Sequence, residues 1–149
     1  MRLSMTRTLD APPPAVWTAL TDPDQLASWW GPVGFTVPRI WLDLRVGGSY
    51  RIEMKPPEGG AFFLQGEFRD ISPPFGLAFT FRWEDPDPDD RETVVTLSLT
   101  EVGERTALVL DQGPFLTEAR LALHRSGWSD SFDKLAALTS SRCDGASAS

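Results

Sequence analysis

The chain has 149 residues, a formal net charge of −7 at pH 7 and a sequence pI near 4.6. This length predicts one domain with a substantial core, and the acidic balance argues against a nucleic-acid groove or an anionic membrane surface. No apolar run approaches the roughly 18 residues of a membrane span and no secretory leader is apparent, so we expect a cytoplasmic protein. Because Cys143 is the one cysteine, we expect neither an internal disulfide nor cysteine-bound zinc.

The N-terminal part of the chain predicts a strand followed by two short helices. Residues 2–9 alternate apolar and polar side chains, which is typical of a half-buried strand. Residues 15–20 place apolar side chains on one side of a short helix. Asp22 is a suitable N-cap for a second helix with Pro23 at its first position, and Gly31 ends it. Because helices this short are marginal alone, both must pack on a sheet.

From residue 35 the apolar pattern changes to period two, which indicates strands. The predicted strands cover residues 35–42, 50–54, 61–71, 77–83, 93–100 and 106–111. Pro38 places the first of these at a sheet edge, and Gly66 marks a bulge or a close approach in the third. Residues 84–90, EDPDPDD, are interpreted as a solvated turn in preference to a cation site.

The last predicted element is a helix over residues 117–138, with an apolar stripe through Leu121, Trp128, Phe132 and Leu135. Consecutive strands with short connections pair antiparallel. The twist of such a sheet makes it curved, and its concave face would wrap this helix.

Several short motifs occur in a fixed order over residues 5–138: Ala11-Pro12 with Val16-Trp17, Leu20-Thr21-Asp22-Pro23, Trp29-Trp30-Gly31-Pro32, Asp43-Leu44-Arg45 with Gly47-Gly48, Gly66 with Phe68, and His124 with Gly127-Trp128 and Leu135. Together they resemble the Activator of Hsp90 ATPase homologue (AHSA1-type) family, within the START/Bet v 1-like (SRPBCC) superfamily. The resemblance implies an α+β helix-grip fold, in which a curved antiparallel sheet of six to seven strands wraps a long C-terminal helix. The domain would span residues 1–139, followed by a disordered tail at 140–149.

The resemblance also implies a cavity between the sheet and the long helix that holds a small apolar or aromatic molecule. Pockets of this kind combine an apolar concave lining with a few polar groups. Inward-facing side chains of the strands and of the helix stripe are the candidate lining, although a row of aromatic residues is also typical of a plain core: Trp41, Tyr50, Ile52, Met54, Phe63, Phe79, Phe81, Trp83, Leu97, Leu99, Leu121, His124, Trp128 and Phe132.

His124 and Gly127 are the two unusual residues of the apolar helix stripe. A histidine there is either tied to a backbone carbonyl or carboxylate, or it supplies polarity to the pocket. With no second histidine it is a poor basis for zinc, and we expect neither a metal nor a cofactor. Gly127 costs about 1 kcal/mol in mid-helix, and either a bulky neighbour such as Trp29 or Trp30, or a ligand, would account for it.

Three functions therefore remain open. The leading hypothesis is a non-enzymatic domain, monomeric or homodimeric, that binds a small hydrophobic molecule. The second is a module that interacts with an Hsp90-type chaperone, as the family name suggests. The third is an enzyme acting on an aromatic or polyketide-like substrate, which would require His124, Glu53 or Glu67 to face a water-accessible cavity.

Overall fold

A computed structural model describes the backbone of residues 1–148 and the side chains of residues 1–140. Its elements, in chain order, are β1 (Leu3–Leu9), α1 (Pro13–Thr21), α2 (Pro23–Trp29), β2 (Thr36–Leu42), β3 (Ser49–Lys55), β4 (Phe62–Ser72), β5 (Gly76–Trp83), β6 (Thr93–Val102), β7 (Arg105–Gly113) and α3 (Glu118–Ala148). The prediction of a disordered tail at 140–149 falls almost wholly on residues whose side chains lie outside the described part of the chain.

The strands form one seven-stranded sheet in the order β1-β7-β6-β5-β4-β3-β2. Every neighbouring pair is antiparallel. The sheet curves around α3, and α1 and α2 follow the first strand, so the predicted helix-grip architecture is confirmed. Strand β2, which contains Pro38, lies at an edge of the sheet, where a missing N–H breaks no inner ladder.

Local sequence signals explain where the helices begin. The Asp22 carboxylate accepts a hydrogen bond from the Gln25 backbone N–H at 3.1 Å, which is the predicted N-cap of α2. The Thr117 hydroxyl accepts one from the Arg120 backbone N–H at 3.1 Å and caps α3 in the same way.

The concave face of the sheet and the apolar stripe of α3 form the core. Phe132 and Leu135 are fully buried and Trp128 is 5% exposed. An ion pair between Arg7 of β1 and Asp133 of α3, at 2.8 Å, ties the helix to the sheet edge. Near the N-terminal half of α3 the sheet and helix diverge, and the candidate site lies there.

Gly66 is the close-approach point that the sequence predicted. A Cβ at this position would lie 1.9 Å from the Thr80 carbonyl oxygen and 2.5 Å from a ring carbon of Tyr50. The Tyr50 hydroxyl donates to the same Thr80 oxygen at 2.6 Å. Only glycine leaves room for this buried contact between β3, β4 and β5.

Candidate functional site

A cavity of about 460 Å³ lies between the N-terminal half of α3 and the ends of strands β3–β5. Its size falls in the range of small-molecule sites, roughly 300–1,000 Å³. Aromatic and apolar side chains form its inner wall, and charged side chains lie only at its mouth. The lining consists of Trp30, Gly31, Pro32, Phe35, Met54, Phe62, Phe63, Phe81, Trp83, Asp85, Asp87, Asp90, Arg120, Leu123, His124, Gly127, Trp128 and Ser131.

Edge-to-face ring contacts fix the inner wall. Trp128 meets Trp30 with ring centroids 5.1 Å apart and an interplanar angle of 80°. Trp83 lies 5.2 Å from Phe81 and 5.3 Å from Phe62. Because such pairs contribute beyond their buried area, the wall is a preformed aromatic surface that does not need a ligand to order it.

A buried polar chain orients Trp128. Its indole N–H donates to the Gln112 side-chain oxygen at 2.7 Å, and the Gln112 amide donates to the Thr93 hydroxyl at 2.9 Å. Gln112 is 0% exposed. The sequence interpretation missed it, although Gln112 continues the inward alternation of Leu108 and Leu110 on β7.

The turn after α2 forms one side of the cavity and is fastened to α3. The Ser131 hydroxyl accepts from the Gly31 backbone N–H at 3.0 Å and donates to the carbonyl oxygen of Gly127 at 2.9 Å or of Gly31 at 3.1 Å. The Asp130 carboxylate accepts from the Val33 N–H at 3.2 Å. This connection holds Trp30 against the helix.

His124 projects into the aromatic wall. Its ring lies 4.9 Å from Phe115, 5.3 Å from Phe81 and 6.3 Å from Trp83, between ring centroids. Neither ring nitrogen has a hydrogen-bond partner among the described residues, so the interpretation of a histidine tied to a carbonyl or carboxylate is wrong. Burial, and next the positive charge of Arg120, lower the pKa of His124 to about 4. It is therefore a neutral imidazole at pH 7.

This lowered pKa predicts a specific loss of stability in acid. Between about pH 6.5 and pH 4 the unfolded chain binds a proton at His124 that the folded chain does not, so the contribution is complete above the unfolded pKa and is lost as the pH falls. Wild type should lose about 2 kcal/mol more than His124→Phe on going from pH 7 to pH 4.5. Urea denaturation of both proteins at each pH measures this. Parallel losses in the two proteins would contradict it.

The acidic loop after β5 is more than the solvated turn that the sequence predicted. Arg120 of α3 pairs with Asp87, with Asp89 at 3.0 Å and with Asp90 at 3.2 Å, and Thr117 donates to Asp89 at 3.2 Å. The hydrogen bond from Arg120 holds the pKa of Asp89 below its ordinary value. The guanidinium occupies the position among the carboxylates that a cation would need, and it fixes this loop at the mouth of the cavity.

The proposed packing of Trp29 or Trp30 on Gly127 is wrong. A Cβ added at Gly127 would meet only the Pro32 side chain, at 3.8 Å, which is ordinary contact. The glycine borders the cavity instead. The two tryptophans have separate roles, because Trp29 is fully buried and Trp30 lines the cavity.

The structure divides the predicted lining residues into groups. Those that line the cavity are Met54, Phe63, Phe81, Trp83, His124 and Trp128. Those that lie on the same concave face but border a much smaller space of about 20 Å³ beneath α1 and α2 are Tyr50, Ile52, Phe79 and Leu97. Leu99 and Phe132 are buried within the core, and Leu121 is half-buried and packs against it.

Trp41 does not line the cavity as predicted, because it is 43% exposed and faces away from the cavity. The register explains this: Trp41 pairs with Arg51, and its neighbour Leu42 pairs with the buried Tyr50. The Trp41 ring packs beneath the guanidinium groups of Arg39 and Arg51, at 5.3 and 5.2 Å. It belongs to the outer face of the sheet.

Phe63 borders the cavity as predicted, but its ring also packs on the outer face of the sheet. Its ring lies 3.9 Å from the Arg51 guanidinium carbon, which places it against the outer-face residues even though it borders the cavity. The preceding residue, Phe62, pairs with Met54 and packs on Phe35 inside. The sequence interpretation did not select Phe62 or Phe35, because two adjacent phenylalanines leave the inward position ambiguous.

A curved antiparallel sheet that grips a C-terminal helix over an aromatic cavity defines a helix-grip domain. The family model of the Activator of Hsp90 ATPase homolog 1-like protein matches residues 10–140. The chain therefore belongs to this AHSA1 family, as the sequence motifs indicated. A comparison with curated proteins gives no match.

Solved structures of similar proteins share the whole fold. The AHSA1 protein SPO3351 from Silicibacter pomeroyi is 30% identical, with a TM-score of 0.82 over 95% of this chain and 99% of that one. Protein CV1439 from Chromobacterium violaceum is 28% identical, with a TM-score of 0.82 over 93% and 96%. CalU16 from Micromonospora echinospora is 26% identical, with a TM-score of 0.70 over 90% and 73%. In the described part of this chain, no helix is long and apolar enough to cross a membrane.

Proposed function

We propose that this protein binds a small apolar or aromatic molecule in the cavity between α3 and strands β3–β5. The observation that carries the proposal is an open space of about 460 Å³ walled by aromatic rings. A chain that only needed a core would fill such a space with side chains, since protein interiors are close-packed. Here the rings are fixed against one another around the space.

His124 gives the helix wall of this cavity a hydrogen-bonding group that no described residue satisfies. A neutral imidazole offers one donor nitrogen and one acceptor nitrogen, and both are without protein partners among the described residues. A ligand hydroxyl, carbonyl or amine that reached the ring would gain a hydrogen bond beside the buried rings of Phe81 and Phe115. The histidine therefore orients a ligand whose surface against the aromatic wall is otherwise apolar.

The enzyme alternative loses two of its three candidate groups. Glu53 pairs with Arg39 at 2.7 Å on the outer face, and Glu67 is exposed on β4. Only His124 borders the cavity. A chaperone partner stays a prediction from the family description, and no contact among the described residues favours it over ligand binding.

Two substitutions at Gly127 test the proposal. Gly127→Ala should raise the free energy of unfolding by about 1 kcal/mol through helix propensity and keep binding, because its Cβ meets only Pro32, at 3.8 Å. Gly127→Leu should keep the fold and abolish binding, because its longer side chain occupies cavity space. Thermal shift and native mass spectrometry with a panel of apolar aromatic compounds measure both.

The expected wild-type response is a rise in Tm of about 5–10 °C at a hundredfold excess of ligand over Kd. Gly127→Ala is the matched control, since it shares the helix effect without filling the cavity. The proposal fails if no compound stabilises the wild type, or if Gly127→Leu responds as strongly as Gly127→Ala.

A further inference from the structure

The charged groups that border the cavity are three carboxylates and one guanidinium. Asp85, Asp87 and Asp90 lie at the mouth with Arg120. His124 is the remaining titratable group in the lining, and it is neutral at pH 7 because its pKa is lowered to about 4. The site therefore presents a net negative mouth above an uncharged aromatic wall, in a chain that is itself acidic.

Arg120 is not free to hold an anionic ligand. Its side chain is 17% exposed and pairs with Asp87, Asp89 and Asp90. An incoming carboxylate or phosphate would have to displace one of these partners and would then meet the others at short range. Asp85, in contrast, has no ion-pair partner among the described residues, so its charge is available to a ligand.

The aromatic wall favours the same sign of charge. Ring faces attract cations through their quadrupoles, and more strongly where water is excluded. Phe62 and Phe81 each contact Trp83 edge to face, and all three rings line the cavity beside the loop that carries Asp85. A protonated nitrogen near the mouth would meet both these rings and the free carboxylate.

We propose that the ligand of this cavity is a basic aromatic molecule, with its ring system against Phe81 and Trp83 and its protonated nitrogen at the mouth beside Asp85. Carboxylates and phosphates of the same apolar size bind more weakly. This inference rests on the proposed binding function and adds the charge class of the ligand to it.

Three probes with one common ring system test the charge class: naphthylmethylamine, naphthylmethanol and naphthoate, titrated calorimetrically into the full-length protein. The amine should bind about threefold tighter than the alcohol, as expected for a partly exposed ion pair, and naphthoate should bind weakest. Asp85→Asn should remove the advantage of the amine and leave the affinity for the alcohol unchanged. Raised salt should likewise reduce the affinity advantage of the amine over the alcohol.

Glu101→Gln is the matched control, because Glu101 is an exposed carboxylate at the far end of β6 from the cavity loop. It changes the net charge equally and should leave the order of the probes unchanged. The inference is overturned if naphthoate binds as tightly as the amine, or if Asp85→Asn and Glu101→Gln have equal effects; binding of the probes in either case keeps the proposed function. If none of the three probes binds, the proposed function falls as well.

Discussion

Trp29→Ala is expected to lower the free energy of unfolding by about 3–5 kcal/mol, the range for removing a large buried aromatic side chain. Trp29 is fully buried, and its indole N–H donates to the Ala19 carbonyl oxygen at 2.8 Å. The substitution therefore removes packing between α1, α2 and the sheet and also leaves a buried carbonyl without its partner. Urea denaturation measures the loss.

Trp30→Ala is the informative comparison, because the two residues are adjacent but face different spaces. Trp30 has the cavity on one side, so part of its ring already lacks packing partners. We expect roughly half the stability cost of Trp29→Ala and a loss of naphthylmethanol binding, since Trp30 supports Trp128 at 5.1 Å. Equal costs for both variants, or unchanged binding by Trp30→Ala, would contradict this division of roles.

The fold was predictable from the sequence because its signals are local and periodic. Alternation defines the strands, Asp22-Pro23 and Gly31 bound α2, and Pro38 identifies the edge strand. These signals depend on the backbone and on the immediate neighbours of each residue. The long helix follows from its own apolar stripe in the same way.

The site was only partly predictable, because its details depend on register and on distant pairs. A register shift between Thr36 and Arg39 accompanies the outward position of Trp41. A shift of one residue in strand pairing turns every side chain of the strand to the opposite face of the sheet. Asp87, one of the ion-pair partners of Arg120, lies 33 residues earlier in the chain, and no local pattern predicts this pair. The inward alternation of β7 does extend to Gln112, which is the one missed residue that the sequence could have identified.

Gln112→Leu is expected to lower the free energy of unfolding by about 2–4 kcal/mol, although leucine and glutamine are similar in size. The change removes both hydrogen bonds of Gln112, to Trp128 at 2.7 Å and to Thr93 at 2.9 Å. All three residues are at most 5% exposed, so water does not readily replace the lost partner. An unsatisfied buried polar group costs about 1–3 kcal/mol.

The same substitution should weaken ligand binding, because the Gln112 oxygen sets the orientation of the Trp128 ring in the cavity wall. A double-mutant cycle with Trp128→Phe separates this effect from packing. Phenylalanine has no N–H to leave unsatisfied, so Gln112→Leu should cost about 1–2 kcal/mol less in that background. Urea denaturation of the four proteins gives the coupling. If the two substitutions were additive, the hydrogen bond would not be what holds Trp128, and the ring contacts with Trp30 and Phe132 would have to position it instead.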